Sequence, residues 1–449
     1  MNRIRKIDMT SGSIMRLVVL FALPICAGNI LQQLYNTVDT LVIGNFCGTV
    51  SLAAVGTSSQ PVELLLCIFL GLGSGVSILV SQYIGKGNWD TLKEMVSTAT
   101  AFLYLCAIPI TILGPLVSPF ILKIMQVPDD AWGYCISYLG IIFLGTLGNM
   151  GYNLNAGILR GMGDSQASLL FLVIACGVNI ILDLLFVAWL KLDVAGAAAA
   201  TIMAIYISWV CSIWYIKKKY PKLSFTFFPR RINKRLLADI IRIGLPLGLN
   251  NSIYSVGHIF LQAFINMQGS IFIAGCSVAS RVMSIANVAI TSFSSAAATF
   301  SGQNIGAQNY HRLKKGARQI PFYSGLITAT AGIVLTIFCP FVLQFFTKDA
   351  QTLSIAVRYI RVVLPFTWTY AVFNCIINFV NGIGEVKYPT VVNILMLWAV
   401  RIPSAYLIAQ IIDGTYIMAC YPISFIFGMF AMLAYFHTKK WKEIRQLAG

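Results

Sequence analysis

Long apolar runs alternate with short polar segments along the whole chain. A helix that crosses a membrane needs about 20 mostly apolar residues, and twelve runs reach that length. Six of these runs fall in each half, so the pattern predicts an all-α polytopic membrane protein with twelve transmembrane helices in two six-helix lobes. The predicted spans are 15–43, 51–81, 96–122, 134–158, 166–190, 194–216, 237–265, 271–302, 318–346, 355–380, 389–410 and 414–437.

The two halves of the chain repeat one another at a nearly constant spacing. Residues 221 apart match at Gly, Pro, Asn and Lys positions, and the spacing is 222 near the start of each half. Such a duplication is typical of membrane transporters and predicts an N-terminal lobe over 1–216, a basic linker over 217–235 and a C-terminal lobe over 236–449. The matches include Leu23-Pro24 with Leu245-Pro246, Ile84-Gly85 with Ile305-Gly306, Asn88 with Asn309 and Leu92-Lys93 with Leu313-Lys314.

Composition and loop charge agree with a membrane protein whose termini are both cytoplasmic. Charged residues make up 10% of the chain and mean hydropathy is +0.79, whereas soluble domains carry about 25% charged residues. With the N-terminus inside, the outer loops hold only Lys123, Lys191 and Lys348, as the positive-inside rule requires. The net charge of +17 is thereby explained without nucleic acid. Attraction of the basic linker to anionic membrane lipid is a by-product.

Several kinds of chemistry are absent from the sequence. The eleven cysteines show no CxxC pair and no Cys/His cluster with metal-ligand spacing. No Walker A loop is present, and the glycines between Gly71 and Gly75 lie inside a predicted span, where they favour close helix packing over nucleotide binding. We therefore expect no enzyme activity, no organic cofactor and no metal beyond a possible Na⁺.

Three carboxylates lie within predicted spans, where ionisable groups are costly and indicate function: Asp39, Glu63 and Asp183. Asp183 is 17 residues into the fifth span, about 26 Å from its cytoplasmic start. Asn179 lies one turn earlier on the same face, and Thr201 reaches a similar depth in the outer leaflet. Asp39, Asn179, Asp183 and Thr201 could therefore form a coupling-cation site for Na⁺, or one carboxylate could carry a proton. Alternatively, the acids satisfy backbone groups near the interface.

The second half does not preserve this set of polar residues. Asp183 corresponds to Ser404, Asn179 to Val400 and Thr201 to Pro422. The two halves are therefore expected to have different roles.

Pro24 and Pro246 occupy repeat-equivalent positions early in the first and seventh spans, where an interior proline predicts a helix bend. Both spans are unusually polar after the proline, and we expect them to face each other across the transport pathway. Glu63 could attract cationic cargo there, or it could pair with Arg281 or Arg401. The predicted substrate-cavity residues are Gln32, Tyr35, Asn36, Glu63, Asn250, Tyr254, Gln262, Met283 and Asn287.

Motifs distributed over about 17–437 resemble the multidrug and toxic compound extrusion (MATE) family, and within it the DNA-damage-inducible protein F subgroup. They are Gln32-Gln33-Leu-Tyr35-Asn36-x-x-Asp39, Leu52-Ala-Ala-Val-Gly56, Ser81-Gln82-x-x-Gly85-x-Gly87-Asn88, Arg160-Gly-Met-Gly163-Asp164, Gln303-x-x-Gly306-x-x-Asn309 and Asn381-Gly-Ile-Gly384-Glu385.

The resemblance implies two six-helix lobes in a V shape that export amphiphilic, mostly cationic compounds in exchange for Na⁺ or H⁺. It also implies that Asp39, Asn179, Asp183 and Thr201 form the coupling-ion site and that Pro24 is the bending position. Another subgroup carries acids in the seventh and tenth spans. This chain has Tyr254, His258 and Asn374 in those regions instead.

Two other functions compete with export of drugs by this chain. A lipid-linked precursor flippase of the same superfamily needs a strongly cationic cavity, and the intramembrane arginines here are few. A membrane-embedded transferase needs catalytic residues on outer loops, which are short and nearly uncharged here. Because two fused halves can enclose a pathway alone, we expect the chain to work as a monomer.

Overall fold

The computed structural model of the protein describes residues 6–125, 127–226, 229 and 232–447. Within those residues all regular structure is helical, as predicted, and no β-strand occurs. The α-helices are α1 (Ile14–Phe46), α2 (Thr49–Gly85), α3 (Trp89–Ile124), α4 (Asp129–Leu144), α5 (Thr146–Gly161), α6 (Ser165–Asp183), α7 (Asp193–Lys219), α8 (Lys234–Asn266), α9 (Ser270–Gly306), α10 (Tyr310–Leu343), α11 (Ala350–Val363), α12 (Thr367–Ile383), α13 (Lys387–Ile394), α14 (Ile402–Ile408), α15 (Cys420–Ala434) and α16 (Lys439–Gln446). Short π-helices cover Leu184–Trp189, Leu395–Arg401 and Ala409–Asp413, and short 3₁₀ helices cover Pro221–Leu223, Leu364–Phe366, Gly414–Ala419 and Tyr435–His437.

Each predicted span coincides with a helical segment, which confirms the multi-span helical fold. Among the described residues, ten segments are long and apolar enough to cross a membrane. An eleventh forms if α4 and α5, which meet at 46°, count as one bent span. The predicted seventh span is the 33-residue helix α8. It is not among those ten, because its apolar residues are interrupted by the polar side chains noted above.

Large apolar side chains are exposed along these helices, in places where a soluble protein would carry charge. Leu116, Trp189 and Phe345 are examples, each with more than two thirds of its surface exposed. Exposed apolar area on this scale marks a surface that contacts something other than water. In a protein with helical spans of this length, that surface faces lipid.

The contacts divide the chain into two units whose boundaries differ from the predicted ones. The first unit comprises Ala27–Gly248 together with the segment that ends at Ile7, and the second comprises Asp8–Cys26 and Leu249–Gly449. The lobe boundaries at 216 and 236, which follow the sequence repeat, stay a prediction. The linker and the first part of α8 belong with the first unit, while residues 8–26 belong with the second.

The segment before α1 belongs to the second unit because polar side chains of α9 and α10 hold its backbone. The Met9 amide donates to Gln303 Oε1 at 2.9 Å, and Asn304 Nδ2 donates to the Met9 carbonyl at 3.0 Å. Arg312 donates to the carbonyls of Met9 and Gly12. These hydrogen bonds join groups about 300 positions apart, which a division by chain order cannot anticipate.

The first part of α8 belongs to the first unit because glycines let it approach α2 closely. A Cβ added at Gly71 would overlap the backbone of Gly248, and one added at Gly75 would come within 2.7 Å of the Gly244 backbone. Small residues at such crossings allow helix backbones to touch. The glycines of α2 thus serve helix packing, as expected.

Two ion pairs occur among the described residues, and they occupy repeat-equivalent positions. Lys219 Nζ lies 2.8 Å from Asp164 Oδ2, and Lys440 pairs with Glu385. Asp164 precedes Glu385 by 221 residues, and Lys219 precedes Lys440 by the same number. In each unit, therefore, the loop that precedes the fifth span is tied to the residues that follow the sixth.

The Asp164 pair is the more elaborate of the two. Asp164 is fully buried and caps α6 by accepting from the Ala167 amide. It also accepts from the hydroxyls of Tyr215 at 3.0 Å and Tyr220 at 2.7 Å. Burial and the neighbouring Asp164 carboxylate raise the pKa of the Tyr220 hydroxyl above its usual range. Tyr220 therefore stays protonated and remains a donor at physiological pH.

Candidate functional site

A polar cluster forms in the first unit where α1, α6 and α7 meet. Helix α1 contributes Tyr35 and Asp39, which lie one turn apart, and α6 contributes Asn179 and Asp183 in the same relation. Thr201 comes from α7. The structure thus brings together all four residues predicted for the coupling site, and adds Tyr35, which was predicted for the substrate cavity.

Thr201 joins the two sides of the cluster. Asn179 Nδ2 donates to Thr201 Oγ1 at 3.4 Å, and the Tyr35 hydroxyl lies 3.5 Å from the same oxygen. The side chains of Asp39 and Asp183 contact one another, and Asn179 contacts Asp183. The two carboxylates are therefore neighbours, as their similar depths along the spans predicted.

The cluster contains more buried oxygen atoms than its donors can satisfy. Asp183 is 0% exposed and Asn179 is 2% exposed. Among the described residues, no hydrogen-bond donor reaches Asp39 Oδ1, Asn179 Oδ1 or either carboxyl oxygen of Asp183. Native proteins rarely leave buried acceptors unpartnered. Four such oxygens in one place form a ligand set of the kind that binds a hard cation, and the carboxylates among them could instead take up a proton.

Among the residues that the structure describes, no basic side chain forms an ion pair with either acid. The ion pairs in the described part of the chain, Asp164 with Lys219 and Glu385 with Lys440, lie elsewhere. Two adjacent carboxylates repel each other, and at about 4 Å the repulsion between unit charges is roughly 4 kcal/mol in a partly polar protein environment. Binding of a positive charge relieves both that repulsion and the cost of burying the acids.

The backbone changes its hydrogen-bonding pattern next to the cluster. Helix α6 ends at Asp183, and the π-helix Leu184–Trp189 follows directly. Short π-helical segments are rare and occur frequently at functional sites. This change could not be anticipated, because the sequence here reads as an uninterrupted apolar helix.

A cavity of about 400 Å³ adjoins the cluster within the first unit. Asn36, Tyr138, Thr146, Asn149 and Thr201 supply its polar lining, and Thr201 therefore belongs to both the cluster and the cavity. Asn36, one of the predicted substrate-cavity residues, lines this cavity. Gln32 does not: its side chain is exposed elsewhere on α1. Tyr138 and Asn149 were missed because a single polar residue in an apolar span gives no distinctive signal.

A second cavity, of about 580 Å³, lies within the second unit. Of the predicted substrate residues, Tyr254, Gln262, Met283 and Asn287 line it. Asn250 does not, because its side-chain oxygen accepts from Asn393 Nδ2 at 3.0 Å.

His258 and Arg401 also line this second cavity. His258 packs against Tyr254, with ring centroids 4.7 Å apart. The side chain of Glu63 lies outside the described residues, so its predicted pairing with Arg281 or Arg401 stays a prediction. Ser404, the repeat mate of Asp183, donates to the Arg401 carbonyl and offers no carboxylate.

Both prolines predicted to bend their helices lie inside continuous helices, Pro24 in α1 and Pro246 in α8. The boundary between the two units falls two residues after each of them, between Cys26 and Ala27 and between Gly248 and Leu249. An interior proline removes one backbone hydrogen bond and leaves a weak point in the helix. Each helix is therefore weakest close to where it passes from one unit to the other.

A duplicated, all-helical membrane protein with polar cavities inside its units is of the transporter class. The MatE family model matches the chain twice, over residues 24–185 and 246–407, which confirms the internal repeat. The chain belongs to the MatE family, a family of multidrug efflux transporters rather than enzymes.

Known relatives and solved structures agree with this assignment. The probable multidrug resistance protein YoeA of Bacillus subtilis is 28% identical over 97% of this chain and 96% of its own length. The probable multidrug resistance protein YpnP of the same organism is 27% identical over 98% of both chains. A crystal structure of a MATE mutant superimposes with a TM-score of 0.91 at 21% identity, covering 99% of both chains, and supports the fold.

Proposed function

We propose that the protein is a secondary active exporter of amphiphilic, mostly cationic organic compounds, driven by antiport of Na⁺ or H⁺. Asp39, Asn179, Asp183 and Thr201 bind the coupling ion, as in the subgroup that the sequence resembles. The observation that carries the proposal is the group of four buried, unpartnered oxygens on Asp39, Asn179 and Asp183. Membership of a multidrug efflux family supports the direction of transport.

The position of Thr201 suggests how ion and cargo exchange. Thr201 touches the acidic cluster through Asn179 and also lines the 400 Å³ cavity. A cation or proton at the carboxylates cancels the negative potential that attracts a cationic compound into this cavity. Ion entry therefore weakens cargo binding, and ion release restores it. For net transport the ion must bind one conformational state better than the other.

The test is efflux of a fluorescent cation from vesicles, with Na⁺ and pH gradients imposed separately. We compare the wild type with Asp39→Asn and Asp183→Asn, and Asp90→Asn at the exposed start of α3 serves as the matched control. One gradient should drive wild-type and Asp90→Asn efflux, and both site variants should lose it while remaining folded. Wild-type rates in both site variants would refute the ion-site assignment.

The same proposal includes the membrane setting. The protein acts in the cytoplasmic membrane with both termini cytoplasmic, contacts membrane lipid, binds no nucleic acid, and functions as a monomer without an organic cofactor. The alternative, a lipid-linked precursor flippase, predicts wild-type transport under neither gradient. A flippase must bind a pyrophosphate in a strongly cationic cavity. Arg401 is the one charged residue that lines the described cavity of the second unit, which argues against this alternative.

A further inference from the structure

Arg401 is the largest fully buried side chain in the described structure. It is the last residue of the π-helix Leu395–Arg401. Its Nε donates to Ser424 Oγ and its Nη1 donates to the Tyr254 hydroxyl, each at 2.9 Å. Its Nη2 has no hydrogen-bond partner among the described residues. A guanidinium carries five N–H groups, so the bonds to these two neutral hydroxyls leave part of its donor capacity unused.

Aromatic rings surround the charge of Arg401, and no acid among the described residues pairs with it. The guanidinium carbon lies 4.9 Å from the ring centre of Tyr421, 5.3 Å from that of Phe425 and 5.8 Å from that of Tyr254. Such contacts moderate the cost of burying a cation but leave its charge in place. Among the described residues no carboxylate forms an ion pair with Arg401. A buried, unneutralised charge is costly and marks a functional site.

The cavity beside Arg401 suits an organic anion. Its volume of about 580 Å³ falls in the range that holds drug-sized molecules. The Tyr254 hydroxyl accepts from Arg401 and keeps its own hydrogen, which it can donate to a ligand or to the neighbouring Tyr370. Tyr359 and Tyr370 add further hydroxyls, and Phe425 adds an apolar wall. No carboxylate appears among the described residues that line the cavity.

We propose that the cavity of the second unit is a binding site for aromatic organic anions that carry a carboxylate. The carboxylate accepts from the Tyr254 hydroxyl within the field of Arg401, and the aromatic part packs against Tyr421 and Phe425. This site goes beyond the proposed cation-driven export and does not depend on it. The fifth span of each half then carries a buried charged side chain. It is the Asp183 carboxylate in the first half and the Arg401 guanidinium in the second.

The sequence repeat shows where the two halves differ in charge. At the spacing of 221, Arg401 corresponds to Ile180, which lies between Asn179 and Asp183 in sequence. The same stretch of the fifth span thus carries acid in one half and base in the other.

The test is equilibrium binding to purified full-length protein in uncharged detergent, measured by fluorescence polarisation at pH 7.5. The probes are dansylglycine, which carries a carboxylate, and its uncharged amide, which has the same ring system. We expect dansylglycine to bind at least about tenfold more tightly, the scale of a hydrogen bond to a charged group. Equal affinities would overturn the proposal.

Variants that keep Arg401 itself locate the site. Gln262→Glu places a carboxylate at an exposed position of the cavity lining and should abolish the preference for dansylglycine. Tyr254→Phe should reduce it severalfold, whereas Gln351→Glu, the same change at an exposed position on α11 outside the lining, should leave it intact. An unchanged preference in Gln262→Glu would refute the location.

One further variant tests for an internal counter-ion. If dansylglycine binds more tightly than its amide only in the Glu63→Gln variant, the Glu63 carboxylate neutralises Arg401 in the wild type. That result would overturn the proposal. Because binding is measured without any ion gradient, a failure of cation efflux and a failure of anion binding are independent results.

Discussion

Replacing Asp164 with alanine should destabilise the protein far more than the same change at its repeat mate, Glu385. In this variant the Tyr220 hydroxyl loses its acceptor. Tyr220 is only 8% exposed, and leaving a buried donor unsatisfied lowers the free energy of unfolding by about 1–3 kcal/mol. Loss of the cap on α6 costs about 1 kcal/mol more. Lys219 is 27% exposed and regains water, so its ion pair adds at most about 1 kcal/mol. Together these effects destabilise the first unit by about 2–5 kcal/mol.

Glu385 and Lys440 are 19% and 53% exposed, so their pair contributes at most about 1 kcal/mol. Thermal unfolding of purified protein, followed by tryptophan fluorescence, measures both effects. At about 2–4 °C per kcal/mol for units of this size, Asp164→Ala should lower Tm by about 4 °C or more and Glu385→Ala by less than about 4 °C. Equal shifts would show that the buried hydroxyl network around Asp164 does not act as the geometry indicates.

Three further variants test other contacts. Gly75→Ala should destabilise the first unit by about 1–3 kcal/mol, because its methyl group meets the Gly244 backbone, while Gly56→Ala, whose Cβ has no described atom within 4 Å, should be nearly neutral in the same Tm assay. Arg312→Ala should raise amide hydrogen exchange at residues 9–12, and unchanged exchange would show that other contacts hold this segment. Thr201→Val removes the hydroxyl that Asn179 contacts, so the Na⁺ or H⁺ concentration for half-maximal efflux should rise about tenfold; an unchanged value would remove Thr201 from the site.

Much of the fold could be predicted from the sequence because membrane spans have a strong local signature. The apolar runs set the helices, and the repeat at Pro24 and Pro246 revealed the duplication. The approach of Asp39 to Asp183 also followed from sequence, since the depth of a residue in a span depends only on the helical rise. Tyr35 was assigned to the cavity instead of the cluster, because rise gives depth but not the direction in which a side chain points.

What the sequence could not reveal depended on long-range contacts. The bonds from Arg312 to Met9 and Gly12 join opposite parts of the chain, so the boundary between the units could not be found from composition. Arg401 was noted only as a partner for Glu63. Its enclosure by Tyr254 and Ser424 depends on helix packing, which a single arginine in an apolar run does not encode.

The position of residues 8–26 in the second unit has a consequence for the order in which the chain matures on the ribosome. Met9 leaves the ribosome before Arg312, which holds its carbonyl and follows 303 residues later. At about 5–20 residues per second, that interval lasts about 15–60 s. During it the first half of α1 has no final partner, although residues 27–46 of the same helix can already pack. Correct assembly of this protein therefore requires that the first half of α1 remain without its final contacts until Arg312 has been synthesised.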